Sequence, residues 1–245
     1  MEIAQRIHLI GGGKNGMQLT HELDCNVYAI DCGASCVLVD AGAGVAPERI
    51  VRRLEADGIP PERVSHLLLT HIHADHAGGA AYLRDRFGWS VVVSAEAAPW
   101  LASGDTDKSS VRQAIAAGLY PADYRYAPCP VDVLVSDGDT VAAGDLRFRV
   151  LETPGHARGH VCYLLEEDGV SSLFAGDTLF AGGKIYLQHS WDCHIQDHAA
   201  SIARLHALRL DRLFAGHGPF LLEDAWRHAA KAHRAFERLD LPPNL

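Results

Sequence analysis

The stretch Val64-Ser65-His66-Leu67-Leu68-Leu69-Thr70-His71-Ile72-His73-Ala74-Asp75-His76-Ala77-Gly78-Gly79 carries most of what this chain discloses. Val64–Thr70 reads as a short buried strand bounded by turn signals. Immediately after it, His71, His73, Asp75 and His76 bring three imidazoles and a carboxylate together. Alternate side chains of an extended backbone share a face, so His71, His73 and Asp75 are expected to point one way off the strand end. A turn at Asp75 would bring His76 beside them. Imidazole and carboxylate suit zinc, iron or manganese, and no thiolate is needed. Four such donors against a buried strand read as metal ligands, where a lone histidine would read as solvated.

Similar contexts recur downstream. Thr153-Pro154-Gly155-His156-Ala157-Arg158-Gly159-His160 follows the strand pattern Leu146–Glu152, Gly176-Asp177-Thr178 follows Leu173-Phe174-Ala175, and Gly216-His217-Gly218 follows Leu213-Phe214-Ala215. Each is an apolar run, a glycine turn and a donor. Glycines let the backbone turn sharply and leave the donor exposed in a cleft. Strand ends converging on one edge of a two-sheet sandwich would assemble these donors into one site.

The remaining patterns fit that architecture. Arg6–Ile10, Cys25–Ile30, Cys36–Asp40 and Ser90–Ser94 read as strands, as do Val131–Val135, Thr140–Ala143, Leu146–Glu152, Val161–Leu165, Ser171–Phe174 and Arg212–Ala215. Pro47–Asp57, Gly78–Phe87, Gln196–Leu208 and Asp224–Leu239 read as helices. A helical insertion spans about 95–128, with a break near Gly104 and a proline-rich exit. It could lid the cleft or mediate a homodimer. Two β-rich halves, each with helices, predict two sheets face to face with helices outside them, in a single domain over 1–245.

Composition narrows the class. The chain has 245 residues, is 48% hydrophobic and 22% charged, and carries a net charge of −9, which argues against nucleic acid and against an anionic membrane surface as partners. No apolar run is long enough for a membrane helix, and Met1–Gly16 lacks the pattern of a secretory signal, so a cytoplasmic protein is expected. Six cysteines without a C-x-x-C pair read as reduced, mostly buried thiols. Gly11-Gly12-Gly13-Lys14-Asn15-Gly16 matches G-x-G-x-x-G, but the next strand begins too soon for a crossover helix, so it reads as a glycine-rich turn. The serine-hydrolase elbow is absent.

H-x-H-x-D-H, T-P-G-H, G-D-T and G-H-G, in this order, resemble the signature of the metallo-β-lactamase superfamily over about Cys25–Pro219. The resemblance implies an α/β fold, a four-layer αββα sandwich with a metal site at one edge of the two sheets. It implies His71, His73 and His156 on one metal, Asp75, His76 and His217 on a second, and Asp177 between them. Two divalent ions follow, Zn2+ by preference with Fe or Mn as alternatives. They would activate a hydroxide that attacks a small-molecule substrate. Asp75 would also act in catalysis, orienting the nucleophile or passing a proton to the leaving group. His160 reads as a support for the ligands.

Branch features point further. Asp177 stands where antibiotic-degrading members usually carry Cys or Ser, and the charge leaves no basic arm for a nuclease. T-P-G-H-x-x-G-H and G-D-T-L-F look most like glyoxalase II thioesterases, although only residues 218–245 follow the last ligand, so no glutathione-binding helical domain is expected. Acyl-homoserine lactonases usually show a tyrosine shortly after the bridging aspartate, where this chain has Phe180, then Tyr186. Persulfide dioxygenases share the motifs but use a single iron. The leading expectation is a dinuclear hydrolase of a thioester, ester or lactone. Tyr186, His189, Trp191 and His21 are candidate substrate-binding residues. His228 and His233, on the last helix, read as solvated.

Overall fold

A computed structural model describes residues 1–245. The first sheet opens as an antiparallel meander of β1 (Glu2–Ala4), β2 (Ile7–Gly11), β3 (Val27–Asp31) and β4 (Cys36–Val39). β5 (Val64–Leu68), β6 (Ser90–Ser94) and β7 (Val133–Val135) extend it in parallel. Parallel neighbours need crossovers. They are α1 (Glu48–Ala56), then α2 (Ala74–Ala77) with α3 (Ala80–Phe87), then α4 (Ala98–Ser103) with α5 (Val111–Ala116).

The second sheet runs antiparallel through β8 (Thr140–Ala143), β9 (Leu146–Glu152), β10 (Val161–Glu167) and β11 (Val170–Gly176). α6 (Ile195–Ala207) returns the chain so that β12 (Arg212–Ala215) pairs parallel to β11, and α7 (Ala225–Glu237) follows.

Strand alternation builds the layers. Tyr28, Ile30, Leu68 and Val92 of the first sheet pack with Phe148, Val150, Tyr163, Phe174 and Phe214 of the second in one buried cluster between the sheets. Their neighbours Ala29, Leu67, Leu69, Val91 and Val93 face outward to α1, α3 and α4. Leu151, Cys162, Leu164, Leu173 and Ala175 face α6 and α7. Strands buried on both faces account for the continuous apolar runs in the sequence. The result is the expected αββα sandwich. No helix is long and apolar enough to cross a membrane. All six cysteines are free, five of them buried.

Three local readings change. β1 was not expected: Glu2–Ala4 is a short edge strand with too few alternating residues to announce itself. β10 and β11 are longer than their apolar cores, because Asp168 and Gly169 both take positive φ and close a tight two-residue hairpin turn. Cys25 and Asn26 lie outside β3. The Cys25 amide donates to Asp75 O (3.2 Å), and that of Asn26 to Gly216 O (2.7 Å), so the segment ties two donor loops together.

Candidate metal centre

β5 ends at Leu68, and the extended conformation persists only to His73 (φ −61°, ψ 152°). α2 begins at Ala74, so Asp75 and His76 sit on a helical turn, not on the strand face expected for Asp75. This bend separates the donors of one motif into different groups. His71 and His73 join His156, while Asp75 and His76 join His217. His71, His76 and Asp177 form a third group that links them.

The distances are short. His73 Nδ1 lies 3.0 Å from His156 Nε2. Asp177 Oδ2 lies 3.5 Å from both His156 Nε2 and His217 Nε2. Asp75 Oδ2 lies 3.1 Å from His217 Nε2 and 3.7 Å from His76 Nε2. His76 Nε2 and Asp177 Oδ1 are 3.3 Å apart without hydrogen-bond geometry, and neither they nor His71 Nε2 has a hydrogen-bond partner. Three buried polar atoms pointing into one space cost several kcal/mol unless something there binds them. Nitrogen and carboxylate oxygen donors, with no thiolate among the sequence-selected ligands, fit a divalent transition ion of the zinc type.

Hydrogen bonds on the far side of each ring fix its orientation. His156 Nδ1 donates to Tyr186 O (2.9 Å). His76 Nδ1 donates to Asp40 Oδ2 (2.8 Å), and Asp40 also accepts from the Thr70 amide and hydroxyl. His73 Nε2 lies 3.1 Å from Asp192 Oδ2, which leaves Nδ1 facing the centre. A carboxylate or carbonyl behind an imidazole sets its tautomer and raises its basicity as a ligand. Burial pushes the Asp192 carboxyl up, but the hydrogen bond and charge of His73, with Ser190 and His156, together outweigh it and bring the group down to about 2. Burial, with neighbouring imidazoles, holds His71 well below its ordinary pKa, so it presents a neutral ring.

His160 does not join the donors. It stacks on His71 at 4.9 Å, accepts the Asp177 amide at Nε2 (3.2 Å), and meets Thr153 Oγ1 at Nδ1 (3.0 Å). It therefore holds the loop that presents Asp177.

The donors open onto a cleft of about 320 Å³ lined by His73, Asp75, His156, Asp177 and His217. Tyr186 and His189 line it as well, and Tyr186 stacks on His156 with ring centroids 5.2 Å apart. Trp191 is not on the cleft wall. Its ring lies 3.9 Å beneath Lys108 Nζ and edge-on to Trp100 at 5.5 Å, fastening the insertion to the segment after Asp177. His21 is also off the wall, where it accepts the Leu23 amide (3.2 Å), while its neighbours Glu22, Leu23 and Asp24 line the cleft.

The glycine-rich turn closes against those neighbours. Gly13 and Lys14 donate to Asp24 O and Glu22 O (both 2.9 Å), and a Cβ at Gly13 would stand 2.3 Å from Glu22 O. His228 is not simply solvated: its Nδ1 accepts the Gly182 amide (2.7 Å) and anchors the turn beyond Asp177.

Sequence reasoning missed Asp40, Asp192, Ser110 and the chain's last residues. Asp40 had a signal, being a polar residue at the end of an apolar strand. Ser110, in the left-handed region (φ 59°), donates to Asp192 Oδ1 (3.3 Å) and had none. Residues 243–245 pair with the strand-like run 185–187. Ile185 donates to Pro243 O (3.1 Å), Leu245 to Ile185 O (2.9 Å), and the Asn244 amide both accepts from and donates to Leu187. Tyr186, whose carbonyl holds His156, sits inside this strap.

The family model for the metallo-β-lactamase superfamily matches residues 22–217, and the chain belongs to that superfamily. A hydroxyacylglutathione hydrolase from Bradyrhizobium sp. (strain ORS 278) is 35% identical over 180 residues, 70% of this chain and 55% of the relative. Thioesterase pkgB from Emericella nidulans is 29% identical over 219 residues, 88% of this chain and 51% of the relative. The resemblance is thus to the glyoxalase II-like branch, and the chain spans about half the length of these curated relatives. In fold it is similar to a Cronobacter sakazakii metallo-β-lactamase with a HARLDQ motif, at a TM-score of 0.75 and 21% identity, covering 98% of this chain and 96% of that one. A metallo-β-lactamase family protein from Thermus thermophilus gives 0.74 and 24%, covering 97% and 81%.

Proposed function

We propose that the chain is a dinuclear metallohydrolase that cleaves a thioester or ester bond of a small molecule. Its relatives named as hydrolases and thioesterases support hydrolysis, and the sharing of Asp177 between two donor groups is the observation that carries the dinuclear reading. His71, His73 and His156 would hold one ion, Asp75, His76 and His217 the other, and Asp177 both. Two divalent ions supply Lewis acidity and a water ionised near neutral pH.

The protein's own groups do the rest. Asp75, paired with His217, orients the nucleophile and can move a proton toward the leaving group. Asp40, Asp192 and the Tyr186 carbonyl keep the imidazoles from rotating. Lactones are esters too and fall within the same chemistry, with Phe180 standing where acyl-homoserine lactonases usually carry a tyrosine.

Metal analysis joined to a substrate panel tests this. About two divalent ions per chain and turnover within thioesters, esters and lactones are expected. One iron per chain with oxidation of a persulfide would overturn the reading, as would turnover confined to phosphoesters.

A further inference from the structure

The cleft has two unlike walls. One is the donor cluster. The other comes from the insertion, where Val111, Ala114 and Ala117 follow one another at three-residue spacing along α5 and its C-terminal cap. Such spacing keeps side chains on one face of a helix. Leu119 and Tyr120 continue this wall, and Leu23 lines the cleft from the segment after the glycine-rich turn. The two alanines keep the wall open, where larger residues would fill it.

The charges lining the cleft are equally informative. Lys14 is the only lysine or arginine among the lining residues, against Glu22, Asp24, Asp75 and Asp177. Asp24 is already engaged by the amides of His21 (2.9 Å) and Ala43 (2.8 Å). Beyond Lys14 and the ions, nothing here would neutralise a substrate carrying several carboxylates.

From this second wall we infer that the substrate's acyl group is an uncharged apolar chain lying along α5, with Ala114 and Ala117 setting how large it can be. The inference rests on the hydrolase reading, because it names the acyl half of that substrate. An apolar chain gains from leaving water against Ala114, Ala117 and Leu119, whereas a charged acyl group would meet no cation along this wall, only the neutral donors Ser109, Ser110 and Gln113. The insertion therefore selects the substrate, and a segment with small residues at these positions takes longer chains than one with large residues.

The test uses the metal-loaded protein and neutral N-acetylcysteamine thioesters with acetyl, butanoyl, hexanoyl and octanoyl groups. kcat/KM is expected to rise at least about 10-fold from acetyl to hexanoyl, in line with the burial of successive methylenes. Ala114→Leu and Ala117→Leu, which suit a helix and its end, should lower the hexanoyl-to-acetyl ratio at least about 10-fold, with metal content unchanged. S-lactoylglutathione, with its charged peptide, should stay well under the ~10⁶ M⁻¹s⁻¹ of good enzymes. In parallel, S-alkyl N-acetylcysteamine thioethers, which cannot be hydrolysed, are titrated calorimetrically against wild type and both variants. Chain-length-dependent binding that the variants abolish, without turnover of any thioester, would sink the hydrolase reading and leave the acyl wall standing. Turnover or binding indifferent to chain length, or unchanged in both variants, would overturn the acyl wall and leave hydrolysis standing.

Discussion

The donor edge and the insertion meet at the same cleft but are built on opposite principles. At the edge, His71, His76, His156 and Asp177 are at most 1% exposed, and three of the four are clasped from behind by a carboxylate, a carbonyl or an imidazole. In the insertion, two short helices bury only a few side chains each, and Leu119 is 56% exposed. The edge is tightly bonded because strand ends of both sheets converge there. The insertion seats Ala98, Leu101, Val111 and Tyr126 in the outer core and adds polar and aromatic contacts, such as Lys108 on Trp191 and Ser110 on Asp192, while the stretch around Ala117–Leu119 stays exposed. A fold arranged this way can vary what it accepts while keeping what it does with it.

Removing the shared carboxylate is the severest challenge to this contrast. Asp177→Ala should weaken both ions and lower activity by on the order of 100-fold or more, read by metal analysis and steady-state rates. Full activity with two ions bound would take Asp177 out of the edge. Asp192→Ala should act more gently, lowering metal affinity about 10- to 100-fold in a chelator competition, because His73 loses the carboxylate that sets its tautomer. An unchanged affinity would mean the edge does not extend to that segment.

On the other side, Trp191→Ala should leave the ions in place and raise KM several-fold, since it frees the insertion from a cation–π contact worth about 0.5–2 kcal/mol. Loss of metal in that variant would erase the distinction between the regions. Tyr186→Phe and His189→Ala should give the smallest effects, a shift in KM or substrate preference at constant metal content. They leave the Tyr186 carbonyl on His156 untouched.

Much of the edge was legible because its donors directly follow apolar strands, the downstream ones at glycine turns, a local pattern written in consecutive residues. His71, His73, His156 and His217 all come from such places. The separation of Asp75 from His73 was not, since it depends on a helix starting at Ala74 where alternation suggested a strand. Asp192 and Ser110 were hidden for another reason. They meet from segments far apart in the chain, and a buried aspartate looks like any loop aspartate until its partner is known. Trp191 read as a pocket residue because it follows Asp177 closely. The structure turns it outward, where Lys108 and Trp100 take its ring.

The strap formed by residues 243–245 has a practical side. A purification handle or surface linker joined at Leu245 would pull on Ile185 and, through Tyr186, on the orientation of His156. One joined at Met1 would disturb an ammonium paired with Asp57 beside α1, a partly exposed contact worth at most about 1 kcal/mol. The two ends of the chain are therefore unequal places to hold the molecule, and a fusion at the C-terminal side would report on its own attachment as much as on the protein.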